Sequence, residues 1–205
     1  MNFEFDETKA TEESVQGGGY LTTGVHKGKI IAAVLAKAGT GTTGIDWHIQ
    51  IEGQRFVTTI YGMWCARADG SEIFNAKTVQ RLMGLNKIKK LTVVKQEVET
   101  HNGKEKLDVY KELSGLEVNV SLQKVLDVYN GTVKDKKFEV KEFFNSKNQT
   151  YAEQVKNSEA KQYIFHSEKM KDGQTSEYKK YIADGGGDEV EADSTDTEES
   201  GDGIL

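Results

Sequence analysis

Alternating apolar and polar residues predict several β-strands along the chain. The clearest alternation runs through 45–51, where Ile45, Trp47, Ile49 and Ile51 are separated by polar residues, as is typical of a half-buried strand. Trp47 has the same parity as the isoleucines, so we predict that its ring lies in the core. The same pattern predicts strands over 24–38, 55–65, 116–129 and 136–144, and a hairpin of two strands over 91–98 and 105–113.

Two helices are predicted between and after these strands. Asn75 can cap a helix over 76–83. Thr150 and Glu153 have capping-box spacing, which predicts a polar helix that continues to about residue 164. Three strands, a helix and two strands follow the order of a five-stranded OB-fold-like Greek-key barrel, here with a hairpin inserted before the fourth strand. Other small β-barrels share most of this order, and a mainly β fold is predicted in either case.

Charge is distributed unevenly along the 205 residues. The chain has a net charge of −6, yet residues 14–183 carry +7, because acids concentrate at both ends and 184–205 contain nine acids without any Lys or Arg. Polyacidic segments repel themselves and stay unfolded. We therefore predict a flexible acidic arm over 1–19, a folded domain over 20–165, a polar linker over 166–183 and a disordered acidic tail over 184–205.

The acidic tail has two interpretations. It can act as a solubilising segment, or its apolar end can dock in a basic-rimmed pocket of a partner protein. Docking is favoured by Ile204 and Leu205, because a purely solvating tail gains nothing from two apolar residues after the acids. The candidate partner-binding residues of the tail are Asp196, Glu198, Glu199, Asp202, Ile204 and Leu205.

Several functional classes are disfavoured by the motifs that the sequence lacks. It has no H-E-x-x-H, Walker or G-x-S-x-G motif, and a single cysteine, Cys65, excludes an internal disulfide and a thiolate zinc site. Gly39–Gly44 matches G-x-G-x-x-G, but a strand follows where a dinucleotide site requires a helix. We therefore predict no catalytic residue, no metal and no cofactor. An acidic start and the lack of a long apolar run predict a cytoplasmic protein without membrane insertion.

Lysine clusters and strand aromatics predict a surface that binds nucleic acid. Cations along a track neutralise phosphates, and exposed rings stack on bases. Lysines that alternate with acids also occur on solvated faces, so each cluster alone supports both interpretations. Along 55–65, Arg55 and Tyr61 share one face and Trp64 lies on the other, and parity does not show which face is exposed. The candidate DNA-binding residues are Lys27, Lys29, Arg55, Tyr61, Trp64, Lys87, Lys89, Lys90, Tyr129, Lys134, Lys136 and Lys137.

Five segments carry a resemblance to a known family. They are GVHKGKIIAA at 24–33, GIDWHIQIEGQ at 44–54, QRLMGL at 80–85, VYKELSG at 109–115 and LQKV at 122–125. Over about residues 20–165 the chain resembles phage- or prophage-encoded single-stranded DNA-binding proteins with an OB-fold. The resemblance implies an OB-fold DNA-binding domain that coats single strands during phage DNA replication or recombination in the bacterial host cell, without catalysis or cofactor. It also implies that the acidic tail recruits replication or recombination proteins.

A structural or protein-recruiting phage β-domain is the alternative hypothesis. In that case the basic clusters are solvated surface and the chain has no affinity for oligonucleotides beyond a salt-labile background. A strand-annealing protein is a closer variant, and it would accelerate the pairing of complementary strands. A nuclease is the enzymatic alternative, which incubation of DNA with Mg²⁺ or Mn²⁺ tests.

Overall fold

A computed structural model of the chain describes residues 21–100 and 103–186, without the side chains of residues 135 and 136. The strands are β1 Gly24–Lys37, β2 Thr43–Ile51, β3 Thr58–Ala66, β4 Val93–Thr100, β5 Gly103–Tyr110, β6 Glu117–Tyr129, β7 Thr132–Phe144 and β8 Gly173–Gln174. The α-helices are α1 Ala76–Leu85, α2 Tyr151–Lys156, α3 Lys161–Ile164 and α4 Ser176–Ala183. A 3-10 turn, Lys111–Leu113, follows β5, and a π-helical turn, Phe165–Lys169, follows α3. The predicted mainly β fold is confirmed.

The long strand β1 organises an almost entirely antiparallel sheet. It pairs with β2, its first half also pairs with β6, and Val34 in its second half pairs with Val109 of β5. Strand β3 extends the sheet from β2, β4 extends it from β5, and β7 extends it from β6. Within the described residues no ladder joins β7 to β3, so the sheet is open. The predicted five-stranded barrel is therefore not confirmed, and the described residues form a sheet of eight strands.

The main core lies on the inner face of β1, β2 and β3. Trp47 is fully buried there, as its parity predicts, and its ring centroid lies 5.2 Å from that of Phe143 on β7. Its indole Nε1–H donates to the Met63 sulfur at 3.0 Å. These contacts join β2, β3 and β7 around one apolar interior, although β3 and β7 are not hydrogen-bonded as neighbouring strands.

A bulge in β3 overturns the predicted assignment of its faces. Trp47 pairs with Ile60 and Ile45 pairs with Met63, so β3 has one more residue than β2 between these pairs. Gly62 takes φ +68° at the bulge, where a residue with a side chain would be strained. The extra residue turns both Ile60 and Met63 inward. Simple alternation predicted that Arg55 and Tyr61 lie on one face of the strand and Trp64 on the other. That prediction is wrong, because the bulge lies between Tyr61 and Trp64 and shifts the alternation by one residue.

The hairpin of β4 and β5 curls over the outer face of β1. Its buried Val98 and Val109 pack against Ala32 and Val34, and the four side chains form a second, smaller apolar cluster. The predicted hairpin is confirmed, with strands Val93–Thr100 and Gly103–Tyr110. Its position beside β1 leaves the adjoining outer face of β2 and β3 as the floor of a cleft, described below.

Helix boundaries differ from the predictions where tertiary contacts decide them. Asn75 makes no side-chain capping bond, and α1 continues past Gly84 to Leu85. Gly84 packs closely under the Tyr151 ring. The capping box of Thr150 and Glu153 is present, with both reciprocal hydrogen bonds. The predicted helix to about residue 164 is nevertheless wrong, because Asn157 takes a left-handed conformation that ends α2.

The segment predicted as a polar linker over 166–183 instead packs along β6. His166 Nδ1 lies 2.7 Å from the hydroxyl of buried Ser121, and the Thr175 hydroxyl donates to Asp127 at 2.7 Å. Tyr178 of α4 is 3% exposed. Periodicity missed this packing because few of the contacts are apolar. Within 21–100 and 103–186 no helix is long and apolar enough to cross a membrane.

Candidate nucleic-acid interface

Two neighbouring clefts share Gln50 in their linings. The first, here called the lysine cleft, has a volume of about 600 Å³ and lies between β1, the start of β6 and the end of α1. The exposed Lys27 and Lys29 line it, because alternate residues of β1 face the same side. Glu52 and Glu117 line it too, so the charge of the lysine cleft is mixed.

The second cleft, here called the Phe56 cleft, lies between the outer face of β2 and β3 and the tip of the β4–β5 hairpin. Its volume is about 390 Å³, and His48, Gln50, Arg55, Phe56, Val57, Thr59, Glu99 and Thr100 line it. The Phe56 ring is 73% exposed, and the Arg55 guanidinium lies over it at 5.2 Å from the ring centroid. The cleft thus combines an open aromatic surface with a cation.

Gln50 lies in the walls of both clefts and connects them. It pairs with Lys29 across the β1–β2 ladder, which places it beside the lysine cleft. Its amide nitrogen donates to the Gln54 carbonyl at 2.6 Å and more weakly to the Ile51 carbonyl at 3.3 Å. These bonds hold the side chain between the clefts. Gln50 therefore lies between the β1 lysines and Phe56, and the surface from these lysines past Gln50 to Phe56 is here called the path.

The two aromatic candidates on β3 extend this path. Tyr61 is 54% exposed and lies two residues beyond Thr59, which lines the Phe56 cleft. The Trp64 indole lies over Gly62, where a Cβ would approach it to 3.3 Å, so it is on the outer side as well. Tyr61 and Trp64 therefore share the outer surface with Arg55, because the bulge at Gly62 restores their common direction.

The candidates on the β6–β7 hairpin lie elsewhere. Tyr129 is 65% exposed, and the Lys134 ammonium lies 5.5 Å from its ring centroid. Asn119 pairs with Lys27 at the lysine cleft, and Tyr129 lies ten residues farther along β6, roughly 30 Å away at a rise of ~3.3 Å per residue. Lys137, in the same hairpin, lies 4.0 Å from Glu139. The structure does not bring these residues to the two clefts, and the side chain of Lys136 lies outside its description.

The remaining candidates fall into two groups. Lys87, Lys89 and Lys90 are exposed on the segment between α1 and β4. Asn86, the residue before Lys87, lines the lysine cleft, so this segment begins at its rim. The tail candidates Asp196, Glu198, Glu199, Asp202, Ile204 and Leu205 lie outside the described residues, as does the predicted arm over 1–19.

Two titratable side chains bear on the chemistry of the domain. Burial and the nearby Glu72 raise the pKa of Cys65 to about 11, which keeps its thiol protonated near neutral pH. Burial, followed by the charge of Lys141, lowers the pKa of His166, so its imidazole is neutral where it meets Ser121. Within the described part of the chain no three His, Cys, Asp or Glu side chains are grouped so as to hold a metal ion.

Of the eight residues that line the Phe56 cleft, sequence analysis named only Arg55 as a candidate, and Phe56 and Glu99 are among those it missed. The strand predicted over 55–65 included Phe56, but β3 begins only at Thr58, so Phe56 lies in the β2–β3 connection, where strand alternation does not give its direction. The sequence feature that could have identified it is an aromatic residue three positions after Gly53 in an otherwise polar turn. Glu99 reaches the cleft only because the hairpin curls over β1, and no local pattern indicates that placement.

Comparison of the chain with protein-family models and with curated proteins found no match. The two clefts and the side chains that line them are therefore the basis for assigning a function.

Proposed function

We propose that this protein binds single-stranded DNA along the outer face of β1, β2 and β3, without catalysis and with little dependence on sequence. The strand enters at the lysine cleft, passes Gln50 and stacks bases on Phe56 and Tyr61. Its biological setting in this proposal is phage DNA replication or recombination in the cytoplasm of a bacterial host.

The observation that carries the proposal is the junction of the two clefts at Gln50. A single strand needs cations spaced along its backbone and exposed rings for its unstacked bases. Lys27 and Lys29 supply the first requirement at one end of the path, and Phe56 with Arg55 supplies both at the other. A duplex cannot use the rings, because its bases are already stacked.

An OB-type domain over 20–165 is part of the same proposal. Two features support it. The long β1 pairs with both β2 and β6, and α1 follows β3 in the chain, before the β4–β5 hairpin and β6. In OB-folds, the face of the second and third strands binds oligonucleotides. The Phe56 cleft lies on that face in this chain.

The β6–β7 hairpin and the acidic tail have secondary roles in the proposal. Tyr129, Lys134, Lys136 and Lys137 contact only strands long enough to extend beyond the clefts. The tail over 184–205 recruits replication or recombination proteins, or it competes with DNA for the basic path. Deleting it should then tighten binding, most of all at low salt.

Tryptophan fluorescence tests the proposal, because the two indoles differ in position. Trp47 is fully buried, whereas Trp64 lies on the outer surface, so stacking or contact there alters mainly the Trp64 emission. We expect saturable quenching by a single strand, a weak response to a duplex of equal length, and partial survival at higher salt. No saturable response to either nucleic acid would overturn the proposal in favour of a structural β-domain.

A further inference from the structure

We infer that the Phe56 cleft is a subsite for one nucleobase and that it prefers a base with an exocyclic amino group, cytosine above thymine. The inference rests on the proposed function, since it concerns how the same surface treats individual bases. It assigns Glu99, on the tip of the β4–β5 hairpin, as the residue that determines the preference.

The dimensions of the cleft fit one base. Its volume of about 390 Å³ is near the lower end of the ~300–1,000 Å³ that ligand pockets span. Arg55 lies over the Phe56 ring, yet the Phe56 residue is 73% exposed. Much of the ring surface is therefore open for stacking. The Arg55 charge, 5.2 Å from the ring centroid, can meet a phosphate of the bound strand.

The cleft offers hydrogen-bond acceptors to a base edge, although its His48, Thr59 and Thr100 side chains can both donate and accept. Glu99 lines it with a carboxylate, which only accepts hydrogen bonds when ionised. Gln50 uses its amide nitrogen on the Gln54 and Ile51 carbonyls, so its oxygen is the atom left for a ligand. Among the described residues of the lining, Arg55 is the side chain that can only donate, and it is held over Phe56.

Acceptors of this kind discriminate between the two pyrimidines. Cytosine and thymine have rings of the same size, but cytosine carries an N4 amino donor where thymine carries an O4 acceptor. A carboxylate accepts from cytosine N4, whereas it repels thymine O4. A path that stacks any base can thus still prefer cytosine at one position.

The test compares the affinities of oligo-dC and oligo-dT of equal length for the full chain at neutral pH. We expect at least about fivefold tighter binding of oligo-dC. Glu99→Gln should remove most of this ratio, because an amide can also donate to thymine O4. Glu52→Gln is the matched control: it removes the same charge from the lysine cleft and should leave the ratio unchanged.

The outcomes separate this inference from the proposed function. Equal binding of both oligomers by the unaltered chain, or a ratio that Glu99→Gln does not change, would overturn the inference while single-strand binding stands. If Glu52→Gln lowers the oligo-dC to oligo-dT affinity ratio as much as Glu99→Gln does, the preference comes from the general charge of the surface. That result would also overturn the inference. Failure of both oligomers to bind would overturn the proposed function itself.

Discussion

The Phe56 cleft and the tip of the β6–β7 hairpin contain the same chemical pair in different surroundings. Arg55 lies 5.2 Å from the Phe56 ring, and Lys134 lies 5.5 Å from the Tyr129 ring. Both rings are mostly exposed, and such cation–π contacts contribute ~0.5–1 kcal/mol at exposed sites. The first pair is part of a concave wall shared with other strands, whereas the second lies at the end of a two-stranded ribbon.

This difference indicates that concavity, more than composition, distinguishes a binding site here. In the Phe56 cleft a base can contact the ring and the walls contributed by β2 and the β4–β5 hairpin at once. At the ribbon tip it can contact only the aromatic ring and the lysine beside it. We therefore expect the two aromatic residues to contribute unequally to DNA binding, although the sequence around each looks equally suitable.

The largest expected effect comes from removing the aromatic ring of the cleft. Phe56→Ala should weaken single-strand binding by about 5- to 150-fold, because base–aromatic stacking is worth ~1–3 kcal/mol per base. Fluorescence anisotropy of a labelled oligonucleotide measures the change. Phe74→Ala is a matched control, since Phe74 is 75% exposed but lines neither cleft. Equal losses in both variants would contradict a specific role for Phe56.

An intermediate effect is expected at the other end of the path. Lys29→Ala should weaken binding at low salt and lower the slope of log affinity against log salt by about 0.7, the value for one phosphate contact to a single strand. Lys179→Ala removes the same charge from α4, which packs on β6, and should leave the slope unchanged. Identical slopes for Lys29→Ala and the unaltered chain would exclude Lys29 from the interface.

The smallest effect is expected at the ribbon tip. Tyr129→Ala should not change the affinity for an oligonucleotide that only fills the two clefts, because the tip lies roughly 30 Å away along β6 at ~3.3 Å per residue. With a longer strand the variant should bind more weakly than the unaltered chain. A loss on the short oligonucleotide as large as that of Phe56→Ala would reverse the comparison.

The sequence predicted those parts of the fold that local patterns determine. The alternation from Ile45 to Ile51 placed β2 and buried Trp47, and the spacing of Thr150 and Glu153 identified a capping box. These features depend on neighbours within a few residues, so periodicity and capping rules describe them well.

The interface depends on features that such patterns do not contain. A single extra residue at Gly62 reverses parity along β3 and brings Tyr61 and Trp64 to one surface. Glu99 reaches the Phe56 cleft only through the curl of a hairpin whose anchor, Val34, is far away in sequence. Bulges and long-range packing of this kind are set by the whole fold, which is why alternation placed Tyr61 and Trp64 on opposite faces.

Amide chemical shifts test the central claim most directly, because they report on both regions in one experiment. An unlabelled single strand is added to the isotopically labelled full chain, and the shift of each assigned amide is followed. We predict that the largest changes occur over 50–61 and around Lys27 and Lys29, with small changes over 128–134 when the strand is short. Largest changes over 128–134, with 50–61 unaltered, would contradict the assignment of the clefts as the DNA-binding surface.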